Sequence, residues 1–384
     1  MSFPFPVISA DSHITEPPDC YTANIDPKFR DRAPHMITDD ERGDVFVVPG
    51  MGRPIAMGLV AAAGKPSEEL SIGGVSFDEL HRSGWDPLYR LADQDRDGVS
   101  AEIIYPTVGM MICNHDDADF KKACFDAYNR WIALYCSEAP HRLLGCGQTA
   151  LRTIDEGIAD LVAIKAAGLR GVMMPGEPGT LDADGRGTDY DDPAWDPFWE
   201  AAVDLGLPLS FHILTSRNSA FNGRPRGSRL NGFLGIIRGI QDIMGTLVYG
   251  GVFERHPGLK IVCVEADAGW VPHYMYRMDH AYKRHRNWMD PGVQLSKLPS
   301  EYFAEHIYTT FQDDWTAFRQ ADHMNWRRLM WANDFPHSDS TWPWSQELLA
   351  AQAAQLTAEQ QAAILSGNAA ELYGIDVTTL PVAA

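Results

Sequence analysis

The sequence predicts an α/β fold, a distorted (β/α)8 barrel with an insertion after the first strand and helices at the C-terminal end. Two observations predict it. Short β-branched or apolar runs alternate with amphipathic helical stretches along nearly the whole chain, and the runs number eight. Parallel strands joined in this way require right-handed crossovers, and eight such units in 384 residues suit a closed barrel. A doubly wound sheet is the structural alternative.

The first strand is read at Val7–Asp11. A long irregular stretch follows, in which Val45–Val48 and Pro54–Gly58 flank Pro49-Gly50-Met51-Gly52 in the manner of a hairpin, and Ala61–Glu69 has the small, polar composition of a mobile loop. Residues 14–87 therefore read as an insertion over the barrel mouth, within one domain spanning 1–384. The second and third strands are Ala101–Tyr105 and Leu143–Ala150. A helix at Ile154–Ala167, with Ile154, Ile158, Leu161 and Val162 on one face, leads to the fourth strand, Gly171–Met174. Trp195–Leu205 sets Trp195, Phe198, Trp199, Ala202 and Val203 on one helical face, and Gly206 and Pro208 stop it before the fifth strand, Leu209–His212. Lys260–Glu265, His306–Thr310 and Arg328–Ala332 complete the set. Near the end, Thr357-Ala358-Glu359-Gln360 matches a capping box opening a helix that carries Ile364 and Leu365, and Gly367-Asn368 is expected to break it before Ala369–Tyr373.

Composition narrows the function. A formal net charge of −20, with no Lys or Arg run longer than a pair, argues against nucleic acid and anionic membrane surfaces, which need basic footprints. The six cysteines are scattered without a C-x-x-C, as in a reduced, cytoplasmic protein. Met1–Val7 lacks the basic and apolar regions of a signal peptide, and no uninterrupted apolar stretch has a membrane span's length.

Ionisable residues that end an apolar run converge on one face of a (β/α)8 barrel. The first strand ends in Asp11-Ser12-His13, the fifth in Phe211-His212, the sixth in Glu265-Ala266-Asp267 and the eighth in Asn333-Asp334-Phe335-Pro336-His337. Asp11 and His13 are two apart, so a strand points both toward the interior. With His212 and Asp334 they would form a His2Asp2 set that suits Zn, or alternatively Mn, better than Mg or Ca. Taken singly, His212 reads equally as a core histidine and Asp334 as a turn residue or helix cap; the joint pattern at strand ends points to a divalent cation. Gly145-Cys146-Gly147-Gln148-Thr149-Ala150 matches a loose dinucleotide fingerprint, but it lies inside a strand and lacks the following acidic residue. No phosphate loop, serine-hydrolase elbow or H-E-x-x-H is present.

Ala10-Asp11-Ser12-His13, Phe211-His212, Pro257-Gly258-Leu259-Lys260, Asn333-Asp334-Phe335-Pro336-His337 and Gly367-Asn368-Ala369-Ala370-Glu371-Leu372-Tyr373 together resemble the amidohydrolase-2 family, in the branch of aminocarboxymuconate-semialdehyde decarboxylase-like enzymes. The resemblance covers nearly the whole chain. It implies one catalytic divalent metal held by Asp11, His13, His212 and Asp334, a homodimer, and decarboxylation or hydrolysis of a C–C or C–N bond in aromatic catabolism. Two positions depart from the family pattern. The first strand has Asp11 where Glu or His is common, and Glu265 stands where members carry a strand-six histidine. Glu265 could replace that base if burial beside Trp270 raises its pKa; the alternative is a carboxylate that anchors a ligand or a nearby Arg.

The expected activity is that of a non-oxidative, metal-dependent decarboxylase of an aromatic or unsaturated carboxylic acid. Asp334 or Glu265 would deliver the proton, and His337 would bond the metal's water or the substrate. Arg217 or Arg170 would offset the charge of the acid, and Trp270, Trp342 and Trp344 would wall the pocket. A hydrolase on the same barrel is the alternative, and a non-catalytic binding protein that has kept the barrel is the third reading.

Overall fold

The computed structural model describes residues 3–179, 188–217 and 227–383. Strand β1 (Ile8–His13) is followed by a small antiparallel sheet of β2 (His35–Asp39), β3 (Gly43–Val47) and β4 (Ile55–Ala56). The barrel then continues with β5 (Ala101–Tyr105), β6 (Leu143–Gln148), β7 (Gly171–Met174), β8 (Leu209–His212), β9 (Ile261–Val264), β10 (Ile307–Phe311) and β11 (Leu329–Trp331). Strands β1 and β5 to β11 form one parallel sheet in strictly sequential order. A doubly wound sheet would reverse direction at a switch point, so the sequential order excludes it. Every residue of these eight strands is buried, as expected of a parallel sheet covered on both faces, and this explains why they read as apolar runs.

The sheet is nearly closed. The seam between β1 and β11 is joined at its C-terminal end by backbone hydrogen bonds, from His13 N–H to the Phe335 carbonyl (2.7 Å) and from Asp334 N–H to the Asp11 carbonyl (3.0 Å). Gly145 and Gly147, in the rejected fingerprint, serve packing instead. A Cβ at either would lie within 2.8 Å of Ile132 or Ile164 on the covering helices.

The strand limits differ from expectation mainly where chemistry begins. β1 runs on to His13 through an irregular register between Ser9 and Ser12, whereas β9 stops at Val264 because Glu265 turns left-handed (φ 56°). The hairpin is present as β3 and β4, with β2 added along the other edge of β3. Ala61–Glu69 is not the loose loop its composition suggested. Ala61, Ala62 and Ala63 are buried, Ala63 packs with Phe335 and Trp342, and Ser67–Glu69 forms a 3-10 turn. On the helix Ile154–Ala166 the buried side is Gly157, Leu161 and Ile164, while Val162 is 53% exposed. The Thr357–Gln360 capping box forms, but Gly367-Asn368 does not break the chain: a π-helical turn, Ala363–Gly367, carries it directly into Asn368–Tyr373.

Candidate metal centre

The C-terminal ends of β1, β8, β9 and β11 bring Asp11, His13, His212, Glu265 and Asp334 together. His13 Nε2 lies 3.5 Å from Asp11 Oδ1, 3.4 Å from Asp334 Oδ1 and 3.7 Å from Glu265 Oε2. His212 Nε2 lies 3.6 Å from Asp11 Oδ1 and 3.3 Å from Glu265 Oε2. Glu265 and Asp334 both adopt positive φ, at 56° and 52°. Left-handed backbone costs a non-glycine residue about 1–2 kcal/mol, and here it turns each carboxylate inward at a strand end.

Hydrogen-bond bookkeeping shows what the cluster lacks. Both carboxylate oxygens of Asp11 and of Asp334, the Nε2 atoms of His13 and His212, and Glu265 Oε2 are buried without a hydrogen-bond partner. Each such atom costs about 1–3 kcal/mol unless something satisfies it. The histidine rings are oriented from behind: His13 Nδ1–H donates to the Pro106 carbonyl (2.9 Å) and His212 Nδ1–H to the Ile213 carbonyl (3.1 Å), leaving each Nε2 turned into the cluster without a hydrogen-bond partner. Burial, then the nearby His337 and His212, holds the His13 pKa well below the usual imidazole range, so that ring is neutral. Burial also lowers His212, but the Asp11 and Glu265 charges outweigh it and the net shift is upward. Burial pushes Glu265 far up, reinforced by Asp334, and does the same to Asp334, reinforced by Asp11. Converging bare donors, crowded carboxylates and rings tethered through Nδ1 fit a divalent cation. Asp11, His13, His212 and Glu265 can all reach one ion, as can His13, Glu265, Asp334 and His337.

His337 extends the same logic. The Thr107 hydroxyl donates its single proton to the Ile14 carbonyl (2.6 Å), so it accepts from His337 Nε2 (3.0 Å). The neutral ring then turns an unprotonated Nδ1 toward Asp334 Oδ1, 3.1 Å away. Two lone pairs at that distance need a cation or a proton between them. Thr107 is in turn held by Glu16, a buried carboxylate that accepts from the backbone N–H groups of Thr107, Val108 and Gly109 at 3.0–3.2 Å.

Asp334, Glu265 and His337 line a cavity of about 600 Å3, with Ile55, Leu59 and Val60 of the 14–87 segment also in its lining. Trp270 is in the wall, its indole N–H donating to the Ala266 carbonyl (2.7 Å). The other expected wall and charge residues lie elsewhere. Trp342 is buried against Phe335 and Trp344 is 54% exposed, and neither lines the cavity. Arg170 precedes β7, so it sits at the opposite end of the barrel from the ligands; being next to a strand was not enough, because the side of the strand decides the face. Arg217 also lies outside the described lining, with its guanidinium 3.1 Å from Asp116 Oδ1.

Sequence reading missed the buried supports. Arg90 is fully buried: its Nε donates to Glu102 Oε2 (2.5 Å), Nη1 to the His13 carbonyl (2.7 Å) and Nη2 to the Phe335 carbonyl (3.1 Å). Asn333 accepts from Ser9, Ser12 and the Phe335 N–H through Oδ1, and its amide N–H2 donates to Asp97. The available signal was charge and amide character in otherwise apolar surroundings, such as Asn333 at the end of the eighth strand.

Comparison with known proteins agrees with this construction. The profile of the family described as Amidohydrolase matches residues 11–375. The chain is 24% identical over 312 residues to 2-amino-3-carboxymuconate-6-semialdehyde decarboxylase of Dictyostelium discoideum, covering 80% of this chain and 82% of that one. It is 26% identical over 267 residues to gamma-resorcylate decarboxylase of Rhodococcus jostii (strain RHA1), covering 65% and 75%. Among solved structures, an amidohydrolase from Mycobacterium avium subsp. paratuberculosis K-10 superposes with a TM-score of 0.79 at 20% identity, over 97% of this chain and 100% of the other. The 5-carboxyvanillate decarboxylase of Novosphingobium aromaticivorans, complexed with manganese and 4-hydroxy-3-methoxy-5-nitrobenzoic acid, gives 0.66 at 19% identity, over 97% and 96%. With the family profile spanning almost the entire barrel, the chain belongs to the amidohydrolase family.

Proposed function

We propose that this protein is a metal-dependent, non-oxidative decarboxylase of an aromatic or unsaturated carboxylic acid. The observation that carries the reading is the set of bare, buried donor atoms on the floor of a cavity large enough for an organic acid. Decarboxylase activity in two relatives that cover most of the chain supports it.

Asp11, His13, His212 and Asp334 would hold the ion; Glu265 shares one reach with Asp11, His13 and His212 and a second with His13, Asp334 and His337, so it would join them. When bound, a divalent ion supplies Lewis acidity and a fixed point for the acid group and a neighbouring oxygen. Three carboxylates beside two imidazoles favour manganese over the zinc expected first, and a manganese-bound structural neighbour supports that order. Trp270 presents an aromatic face to the ring of the substrate. Glu265, 14% exposed and with its pKa raised, holds a proton at the floor for the carbon that loses CO2. His337 stands 3.1 Å from Asp334 at the side of the site, and Arg217, beside Asp116, would have to move to reach the acid.

A homodimer in a reducing compartment completes the reading. All six cysteines are unpaired and buried, and no helix among the described residues is long and apolar enough to cross a membrane. Turnover in water enriched in heavy oxygen tests the reaction type. Release of CO2 without label in the organic product is expected, and label in a product carboxylate would establish hydrolysis instead.

A further inference from the structure

Building on the decarboxylase reading, we infer that the substrate is an aromatic monocarboxylic acid carrying an apolar tail, and that the cavity wall above the metal-binding floor holds the tail. The acid group needs only the floor, where Glu265, Asp334 and His337 meet. Yet the cavity measures about 600 Å3, the middle of the range that encloses drug-sized molecules. The remaining space is walled by apolar side chains from separate parts of the chain: Val60 from the 14–87 segment, Met111 after β5, Leu214 after β8, and Phe233, Leu234 and Ile237 farther on.

Two of these combine exposure with a place in the lining. Phe233 is 57% and Leu234 is 73% exposed, although both line a cavity that leads to buried catalytic groups. Contiguous exposed apolar side chains continuous with a site mark the part of a ligand that covers them. The lining also carries Asp267, Asp314 and Asp339, which disfavours a second carboxylate on the substrate. An acid whose ring carboxylate sits on the floor would point its para position toward the mouth, so the tail belongs there.

The test uses the manganese-loaded full chain and 2,6-dihydroxybenzoic acids bearing linear 4-alkyl tails of increasing length, with a 4-carboxyalkyl acid of equal length as control. Calorimetric affinity is expected to rise roughly fourfold per added methylene until the wall is filled, and the carboxyalkyl acid is expected to lose that gain. Leu234→Asp, at an exposed position the fold tolerates, is expected to remove most of the gain. Affinity that does not change with tail length, or a gain that Leu234→Asp leaves intact, overturns the inference. CO2 release is scored separately on the same acids. Tail-dependent binding without release refutes the decarboxylase reading and leaves the tail wall standing, whereas release with flat affinity does the reverse.

Discussion

Glu265 Oε2 stands 3.3 Å from His212 Nε2 with no hydrogen bond between them. Both atoms are buried without a hydrogen-bond partner, so a cation or a proton belongs between them. Glu265 belongs to both groups of residues that could hold an ion, so it is a candidate ligand as well as a candidate proton carrier. Glu265→Gln replaces an oxygen by an amide that can donate to the bare histidine nitrogens and compete with the metal. Manganese affinity is expected to fall at least tenfold, roughly the lower bound seen when groups around a metal are removed. Elemental analysis after dialysis measures it. Full manganese retention with lost turnover would make Glu265 a proton carrier only.

Metal content is the second prediction. Protein purified without chelator is expected to carry about one divalent ion per chain. His212→Ala and Asp334→Asn are expected to abolish CO2 release. Because the ion binds the folded state, chelation should lower thermal stability, and restoring metal to a hundred times its dissociation constant should return about 2.7 kcal/mol. Full activity in Asp334→Asn, followed by CO2 detection, would contradict the site.

Much of this was legible in the sequence for a physical reason. β5, β7 and β8 begin and end as expected because parallel strands buried on both faces are dominated by apolar residues, here broken only by Glu102 and Ser210 before the closing His212. Asp11, His13, His212 and Asp334 were legible because strand ends in this architecture converge on one face. Arg90 was not. Its partners, Glu102, His13 and Phe335, lie 12, 77 and 245 residues away, and no local periodicity encodes such a meeting. The burial of Ala61–Ala63 was hidden for the same reason, since Phe335 and Trp342 cover part of it from the far end of the chain.

The Arg90 clasp supplies a third prediction. The guanidinium joins the carbonyls of His13 and Phe335 across the seam, next to two expected ligands, and neutralises the buried Glu102. Arg90→Met leaves Glu102 buried and uncompensated, so a loss of about 3–5 kcal/mol in urea unfolding is expected. Arg90→Met with Glu102→Leu should recover most of the stability, because an apolar pair can replace a buried ion pair. Neither variant keeps the two carbonyl bonds, so manganese affinity should stay low in both. Recovery of affinity in the double variant would show that the clasp contributes charge balance and not position.

The last prediction concerns acid. Burial pushes His337 down to about 4, against 6.5 in an unfolded chain, even though Asp11 and Glu16 pull the other way. Between those values the unfolded state binds the extra proton. This contribution to stability is therefore complete above 6.5 and is lost as pH falls toward 4. Between pH 7 and pH 5 the loss amounts to about 2 kcal/mol for the metal-free protein. Glu265 and Asp334, raised by the same burial, contribute with the opposite sign, so the wild-type profile alone does not isolate the histidine. His337→Gln keeps a donor for Thr107 and removes the titration. The difference in urea midpoint between the metal-free wild type and the variant is expected to narrow from pH 7 to pH 5. A difference that holds constant across that range would mean that His337 titrates as it does in the unfolded chain, and one that widens toward pH 5 would mean that His337 is already charged at neutrality, with a proton and not a metal bridging it to Asp334.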